Sequence, residues 1–203
     1  MKLKNRYFIL RHGDTVWSDK IVYPSPDSSA VYLNRKGEQK IKKAARELDK
    51  GKIDKIYSSD FYRAKQSAEI VAKELGLRIK FDRRLRDTNL GIYHGRPKKE
   101  FYADFPDAEK RFYKRPKNGE SWNDVRRRLR KFLKDSEAEN SGKNILLVGH
   151  GDPLWLLEGL AHNLTNQQLL KIILVETTDF ERSEKQGSRT QRGSIKKAEW
   201  RRL

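Results

Sequence analysis

Cysteine is absent from this 203-residue chain. Disulfides, thiolate metal sites and cysteine nucleophiles are therefore excluded. Long apolar runs are missing too: none approaches the roughly 20 residues that a membrane-spanning helix needs. The opening MKLKNRYFIL lacks the apolar stretch of a signal peptide. A cytoplasmic protein that does not engage a membrane is the expectation. Acidic residues are scarce beside basic ones, 28 against 46, and the net charge is +18. That field favours anionic partners such as phosphorylated small molecules, nucleic acid or an acidic surface, and it does not bear on the fold.

The apolar residues that are present cluster in short runs, enough for one core. A single domain over residues 1–180, followed by a basic segment over 181–203, is the expected organisation. Tyr7–Leu10 and Ile145–Val148 are continuous apolar runs, the pattern of strands buried on both faces. Ile53, Ile56 and Tyr57 suggest another strand, ending in Ser58-Ser59-Asp60, and Ile79–Phe81 a further one. Between them, Ile41, Ala44, Ala45 and Leu48 fall at helical spacing. Phe61, Ala64, Ala68, Val71, Ala72 and Leu75 do the same, with Gly76 closing that helix. Residues 86–119 read as loop-rich, with scattered aromatics and prolines.

Ser121 is placed to cap a helix that carries Trp122, Val125, Leu129, Phe132 and Leu133 on one face. Asp152-Pro153 reads as a helix start, with Asp as cap and Pro in the first turn. Leu169–Val175 fits helix or strand. Residues 181–194 read as a flexible polar segment, and Ile195–Leu203 as a returning edge strand. Alternating strands and helices predict a three-layer α/β/α sandwich around a mostly parallel sheet.

In such sheets ligands bind beyond the carboxyl ends of the strands. Two of the four histidines, His12 and His150, directly follow apolar strands and are flanked by glycine. If the two strands are neighbours, both imidazoles share one pocket. A phosphoryl group needs positive charge and donors aimed at its oxygens. Arg11 supplies one planar fork; Arg63, opening a helix after a strand, supplies another. The helix start after His150 adds backbone N–H groups. A neutral imidazole attacks phosphorus, splitting transfer into two easier steps, and the leaving oxygen needs a proton from a nearby acid.

Taken singly, each residue has a plainer reading. His12 alone would be structural, Arg11 a solvated charge, and Arg63 the partner of an acid such as Glu69. His94 and His162 lack the strand-end context and read as structural or surface residues. A metal site of His12, His150 and an Asp is disfavoured by the arginine beside His12.

The stretch LRHGDT resembles the signature of the histidine phosphatase superfamily, in its phosphoglycerate mutase-like branch. The likeness continues in order through Leu33–Ile70, through LRDTNLGIYHG at Leu85–Gly95, through NGESWNDVRRRL, and through ILLVGHGDP. Five blocks cover roughly residues 7–160. The resemblance implies His12 as the nucleophile that becomes phosphorylated, with Arg11, Arg63 and His150 holding the phosphoryl group. It puts the acid at Asp87, where the branch usually has Glu. Glu120 is an alternative acid, ahead of Asp14 and Asp152. Thr15 matches a residue lining the phosphate loop, and Ser18 stands where many relatives carry Asn.

Neither a metal nor another cofactor is implied. The stretch from Gly95 to Gly119 is short for a mutase, so a phosphatase acting on a small phosphorylated metabolite is expected, with a mutase-type phosphotransferase as alternative. A second alternative comes from charge. Arg126, Arg127, Arg128, Arg130 and Lys131 form a basic run, and residues 181–203 hold eight Lys or Arg against three Asp or Glu. Such patches beside aromatics also suit single-stranded nucleic acid, as in an RNA-binding module on a phosphatase-like scaffold.

Overall fold

Tyr7, Phe8, Ile9 and Leu10 are all buried, and alternate side chains leave the strand on opposite faces. Tyr7 and Ile9 enter one apolar cluster and Phe8 and Leu10 another. The same split recurs along the second apolar run, where Ile145 and Leu147 join the first cluster and Leu146 and Val148 the second. Two cores on the two faces of one sheet require a covering layer of helices on each side.

The computed structural model describes residues 2–24, 31–49, 53–171 and 200–203. Its elements are β1 (Arg6–Arg11), α1 (Arg35–Asp49), β2 (Lys55–Ser58), α2 (Tyr62–Leu75), β3 (Ile79–Phe81), α3 (Lys98–Asp104), α4 (Trp122–Glu139), β4 (Asn144–Gly149), α5 (Gly151–Ala161) and β5 (Trp200–Arg202). The sheet order is β3-β2-β4-β1-β5. β1, β2, β3 and β4 pair in parallel, and β5 lies antiparallel against β1 at the edge. The expected three-layer architecture is thus present, and of the returning edge strand expected over Ile195–Leu203, Trp200–Arg202 forms β5 while residues 195–199 lie outside the described residues. The expected polar stretch 181–194 lies outside the described residues. Of the ambiguous run at 169–175, residues up to 171 are helical and the rest are likewise outside the description.

α1 and α2 cover one face through Ile41, Ala44, Ala45, Leu48, Ala68, Val71 and Ala72. α4 and α5 cover the other through Val125, Leu129, Phe132, Leu133, Leu154, Leu156 and Leu157. Gly76 ends α2 in the left-handed conformation at φ 66°, which glycine adopts without strain. Ser121 caps α4, and Asp124 reaches back to the Ser121 N–H in a capping box. One helix start differs from expectation. α5 begins at Gly151 with His150 as its cap residue, so Asp152 lies inside the first turn. Its carboxylate accepts a hydrogen bond from Trp122 Nε1 at 3.0 Å instead of capping the backbone.

The middle segment also holds more order than its composition suggests. α3 and neighbouring single turns fold over a small cluster of Val22, Tyr93, Phe101 and Phe105. Phe101 and Phe105 stack with centroids 5.0 Å apart, and Tyr93 meets Phe101 edge-on.

A polar knot holds the N-terminal strand to the end of α4. Buried Glu137 accepts from the Lys4 N–H, from Asn5 Nδ2 at 2.8 Å and from the Tyr7 hydroxyl at 2.7 Å. Burial alone would raise the Glu137 carboxyl; these donors outweigh burial and hold it below the usual carboxylate range. Glu137→Ala leaves buried donors unpaired and is expected to cost about 3 kcal/mol. A carboxyl depressed in the folded state stabilises above the unfolded pKa of about 4.3 and loses that contribution as pH falls. Urea titrations of both proteins at neutral pH and below about pH 4 should therefore show the gap narrowing with acid.

Candidate active site

β1 and β4 run side by side with Arg11 opposite Gly149, so His12 and His150 emerge together one residue beyond the paired ends. The His12 N–H completes the ladder by donating to Gly149 O at 3.0 Å. The two rings lie 5.3 Å apart, centroid to centroid. Both side chains are buried, His12 at 1% and His150 at 0% exposure, so neither is an ordinary surface histidine.

Glycine follows His12 because the backbone here is crowded. A Cβ on Gly13 would sit 2.7 Å from Gly37 O, and one on Gly37 would sit 2.1 Å from Asp14 O. The loop after β1 and the first turn of α1 meet backbone to backbone. The strand stops at Arg-His-Gly since its last side chains face the site and its next residue must clear α1.

β2 flanks β4 on the other side and carries Ser59 to the same end, where the Ser59 N–H donates to Val148 O at 3.0 Å. Arg63, the second residue of α2, turns its side chain inward at 5% exposure. Its Nε donates to His12 Nε2 at 3.3 Å, and its Nη2 donates to Asp87 Oδ2 at 2.8 Å. Asp87 Oδ1 accepts the Thr88 N–H at 3.0 Å, while Oδ2 lies 3.7 Å from His150 Nδ1.

The partners assign the imidazole protons. His12 Nδ1 faces the acceptor Gly13 O at 2.8 Å and therefore carries the hydrogen. Its Nε2 is left with a lone pair, to which Arg63 donates. Ser59 Oγ accepts from the Phe61 N–H at 3.2 Å and lies 2.9 Å from His150 Nε2; with the Asp87 carboxylate 3.7 Å from Nδ1, the ring hydrogen is assigned to Nδ1 and Ser59 donates to Nε2. His150 Nδ1–H is then turned toward Asp87. Electrostatics agrees with neutral rings. Burial, reinforced by the charges of Arg63 and Arg11, pushes His12 well below the ordinary histidine range. Burial with Arg63, Arg11 and Arg128 does the same to His150.

Arg11, the other expected anion holder, thus exerts its charge on both imidazoles. Thr15 is buried on the loop after His12, and its hydroxyl has no hydrogen-bond partner among the described residues. Glu120 is held elsewhere: it accepts from Arg128 Nε at 3.0 Å and from the Asn89 N–H at 3.1 Å. Arg128 also donates to the backbone oxygens of Arg84 and Asp87. Glu120 therefore braces the loop that presents Asp87. Asp14 pairs with Lys40 at 2.7 Å, and the exposed Ser18 hydroxyl accepts from the Lys20 N–H. Burial and the nearby charge of Asp87 raise the Asp152 carboxyl. Arg63 takes Asp87 as partner, and Glu69 lies near Lys65 instead. Among the described residues no group of three or more His, Cys, Asp and Glu could hold a metal ion.

Sequence reasoning missed Ser59, Arg128 and Tyr23. The Ser-Ser end of β2 signalled the first. The other two come to the site only through tertiary contacts.

An α/β/α layered protein with paired histidines and an arginine at the strand ends is the class that fold and geometry define. The histidine phosphatase superfamily (branch 1) model matches residues 7–192, and the chain belongs to that superfamily. It is 31% identical over 156 residues to a protein described as probable phosphoglycerate mutase GpmB of Yersinia enterocolitica, covering 74% of this chain and 71% of that one. It is 33% identical over 152 residues to phosphoglycerate mutase-like protein 4 of Arabidopsis thaliana, covering 70% and 65%. Among solved structures, the mycobacterial glucosyl-3-phosphoglycerate phosphatase superposes with a TM-score of 0.76 at 26% identity, over 97% of this chain and 88% of that one. The chain is accordingly an enzyme of the phosphomonoester-hydrolysing kind. Among the described residues no helix is long and apolar enough to cross a membrane.

Proposed function

We propose that this protein hydrolyses the phosphomonoester of a small phosphorylated metabolite in the cytoplasm, through a phosphohistidine at His12. The observation that carries the reading is the buried His12 Nε2, a neutral lone pair bonded by Arg63, with the His150 ring beside it and Asp87 held on the same guanidinium. Nε2 attacks phosphorus and the P–O bond to the alcohol breaks. Arg11, Arg63, His150 Nδ1–H and the Thr15 hydroxyl supply donors to the three peripheral oxygens. Asp87, carrying a proton delivered with the phosphomonoester monoanion, gives that proton to the leaving oxygen. Water then attacks the phosphohistidine, the P–N bond breaks, and the Asp87 carboxylate takes the proton from water. In the resting protein Asp87 is tied to Arg63. Phosphoryl oxygens compete for that guanidinium and free the carboxyl for proton transfer.

Hydrolysis is favoured over mutase chemistry by the short segment between Gly95 and Gly119, whose Phe101 and Phe105 pack with Val22 and Tyr93 and whose Phe112 enters the larger core. A catalytic domain ending near residue 180, with a basic segment beyond it, remains the proposed division.

The test is turnover of p-nitrophenyl phosphate with and without EDTA. Metal-independent release of nitrophenol is expected. A rate that EDTA abolishes would sink the metal-free route. The pH profile is the sharper measurement. A free imidazole protonates below about 6.5 and would lose nucleophilicity there. Burial and the neighbouring arginines push His12 below that range, so the acid limb of kcat/KM should lie below about 6.5. An acid limb centred near 6.5 would contradict the burial of the nucleophile.

A further inference from the structure

Tyr23 lies over the phosphate-binding arginine. Its ring centroid is 4.0 Å from Arg63 Cζ, and it meets the His12 ring edge-on at 6.0 Å. Phe61 lies near the same guanidinium, at 5.5 Å. With Nε on His12 and Nη2 on Asp87, Arg63 is fixed in its plane by hydrogen bonds and covered by an aromatic face. An aromatic face attracts a guanidinium and keeps water from competing for it.

The position of Tyr23 is itself built. His94 Nδ1 bonds Tyr23 O at 2.8 Å, and His94 Nε2 bonds Asn89 Oδ1 at 2.9 Å. Val22 donates to Arg96 O at 2.8 Å and Gly95 donates to Val22 O at 3.2 Å. An isolated bridge pairs Ile21 with Pro97. Val22 is buried with Tyr93, Phe101 and Phe105. The loop bearing Tyr23 is thus stitched to the 94–98 segment, and His94 spans it to the loop carrying Asp87.

We propose that Tyr23 is a positioning residue for phosphoryl binding: its ring face holds Arg63 in plane and dry, and His94 latches the ring in place. The proposal rests on the phosphatase reading of the site and adds to it a residue outside the reacting groups. Tyr23→Ala opens one face of Arg63 to water. The Nε link to His12 persists, so the loss falls mainly on binding. KM for p-nitrophenyl phosphate and the Kd for vanadate should each rise about tenfold, with kcat changed less. Tyr23→Phe keeps the ring face and should stay within about twofold of wild type. Tyr23→Leu keeps bulk without a π face and should resemble alanine. His94→Ala should reproduce part of the rise.

Equal KM and vanadate affinity in wild type and Tyr23→Ala would overturn the proposal. So would a Tyr23→Phe variant as impaired as alanine, which would make the hydroxyl the working group. Thermal melts of each variant separate these outcomes from misfolding, because vanadate affinity is read only on folded protein. The phosphatase reading fails separately, if wild type turns over no phosphomonoester. Vanadate binding would still judge Tyr23 in that case.

Discussion

His12→Ala is expected to reduce turnover by at least about a thousandfold, on p-nitrophenyl phosphate and natural esters alike. The size follows from what the side chain does. The other imidazole among the described site residues is less available: His150 Nε2 is bonded by Ser59 at 2.9 Å and its Nδ1 carries hydrogen toward Asp87, whereas His12 Nε2 is held only by a longer bond from Arg63. Removing His12 therefore deletes the covalent route, and the remaining donors can only polarise phosphorus toward water. Stability should suffer much less. The imidazole is buried and neutral, and its loss costs the hydrogen bond to Gly13 O, one weak acceptor for Arg63 and a small cavity. A matched melting curve beside a lost rate is the expected pair of results. Brief mixing with labelled substrate followed by alkaline denaturation should leave label on wild type and none on His12→Ala. Labelled variant protein would move the nucleophile to another residue.

The parts of this arrangement that could be read in advance share a physical cause. Strands buried on both faces leave continuous apolar runs, and where such a run breaks into Arg-His-Gly or Gly-His-Gly its end has been reached. Parallel neighbours end at the same side of the sheet, so two strand ends sufficed to bring His12 and His150 together. The helical faces of α1, α2 and α4 were likewise written in their spacing. The failures are equally specific. Asp152 next to proline looks like a cap, but the extended backbone of His150 starts the helix two residues earlier, and the indole of Trp122 takes the carboxylate. Asp87 and Glu120 looked like competing acids. What differs is their surroundings: Arg128 reaches Glu120 and two backbone oxygens at once, while Asp87 bonds Arg63. Tyr23 belongs to the site only because a loop bridge over Ile21 and Pro97 carries it there, a contact that no local pattern encodes.

Asp87→Asn is the second variant with a large expected effect, and its signature lies in the leaving group. An alkoxide is a poor leaving group and needs its proton as the P–O bond breaks; a nitrophenolate hardly does. General acid catalysis is typically worth about 10²–10⁴-fold, so alkyl phosphates should slow by that order while p-nitrophenyl phosphate slows far less. Asparagine also removes the negative charge paired with Arg63 Nη2, leaving at most a neutral carbonyl to compete with phosphoryl oxygens for that donor. Vanadate should accordingly bind as tightly as in wild type or more tightly, even as kcat on alkyl substrates collapses. Glu120→Gln makes the contrast. It loosens the Arg128 brace behind the Asp87 loop, so both substrate types should decline together and by less. If Asp87→Asn lowered both substrates equally and Glu120→Gln showed the leaving-group split, the proton would have to come through Glu120. The loop would then have to release that carboxylate from Arg128 and the Asn89 N–H during turnover, whereas Asp87 Oδ2 has only its link to Arg63 to give up.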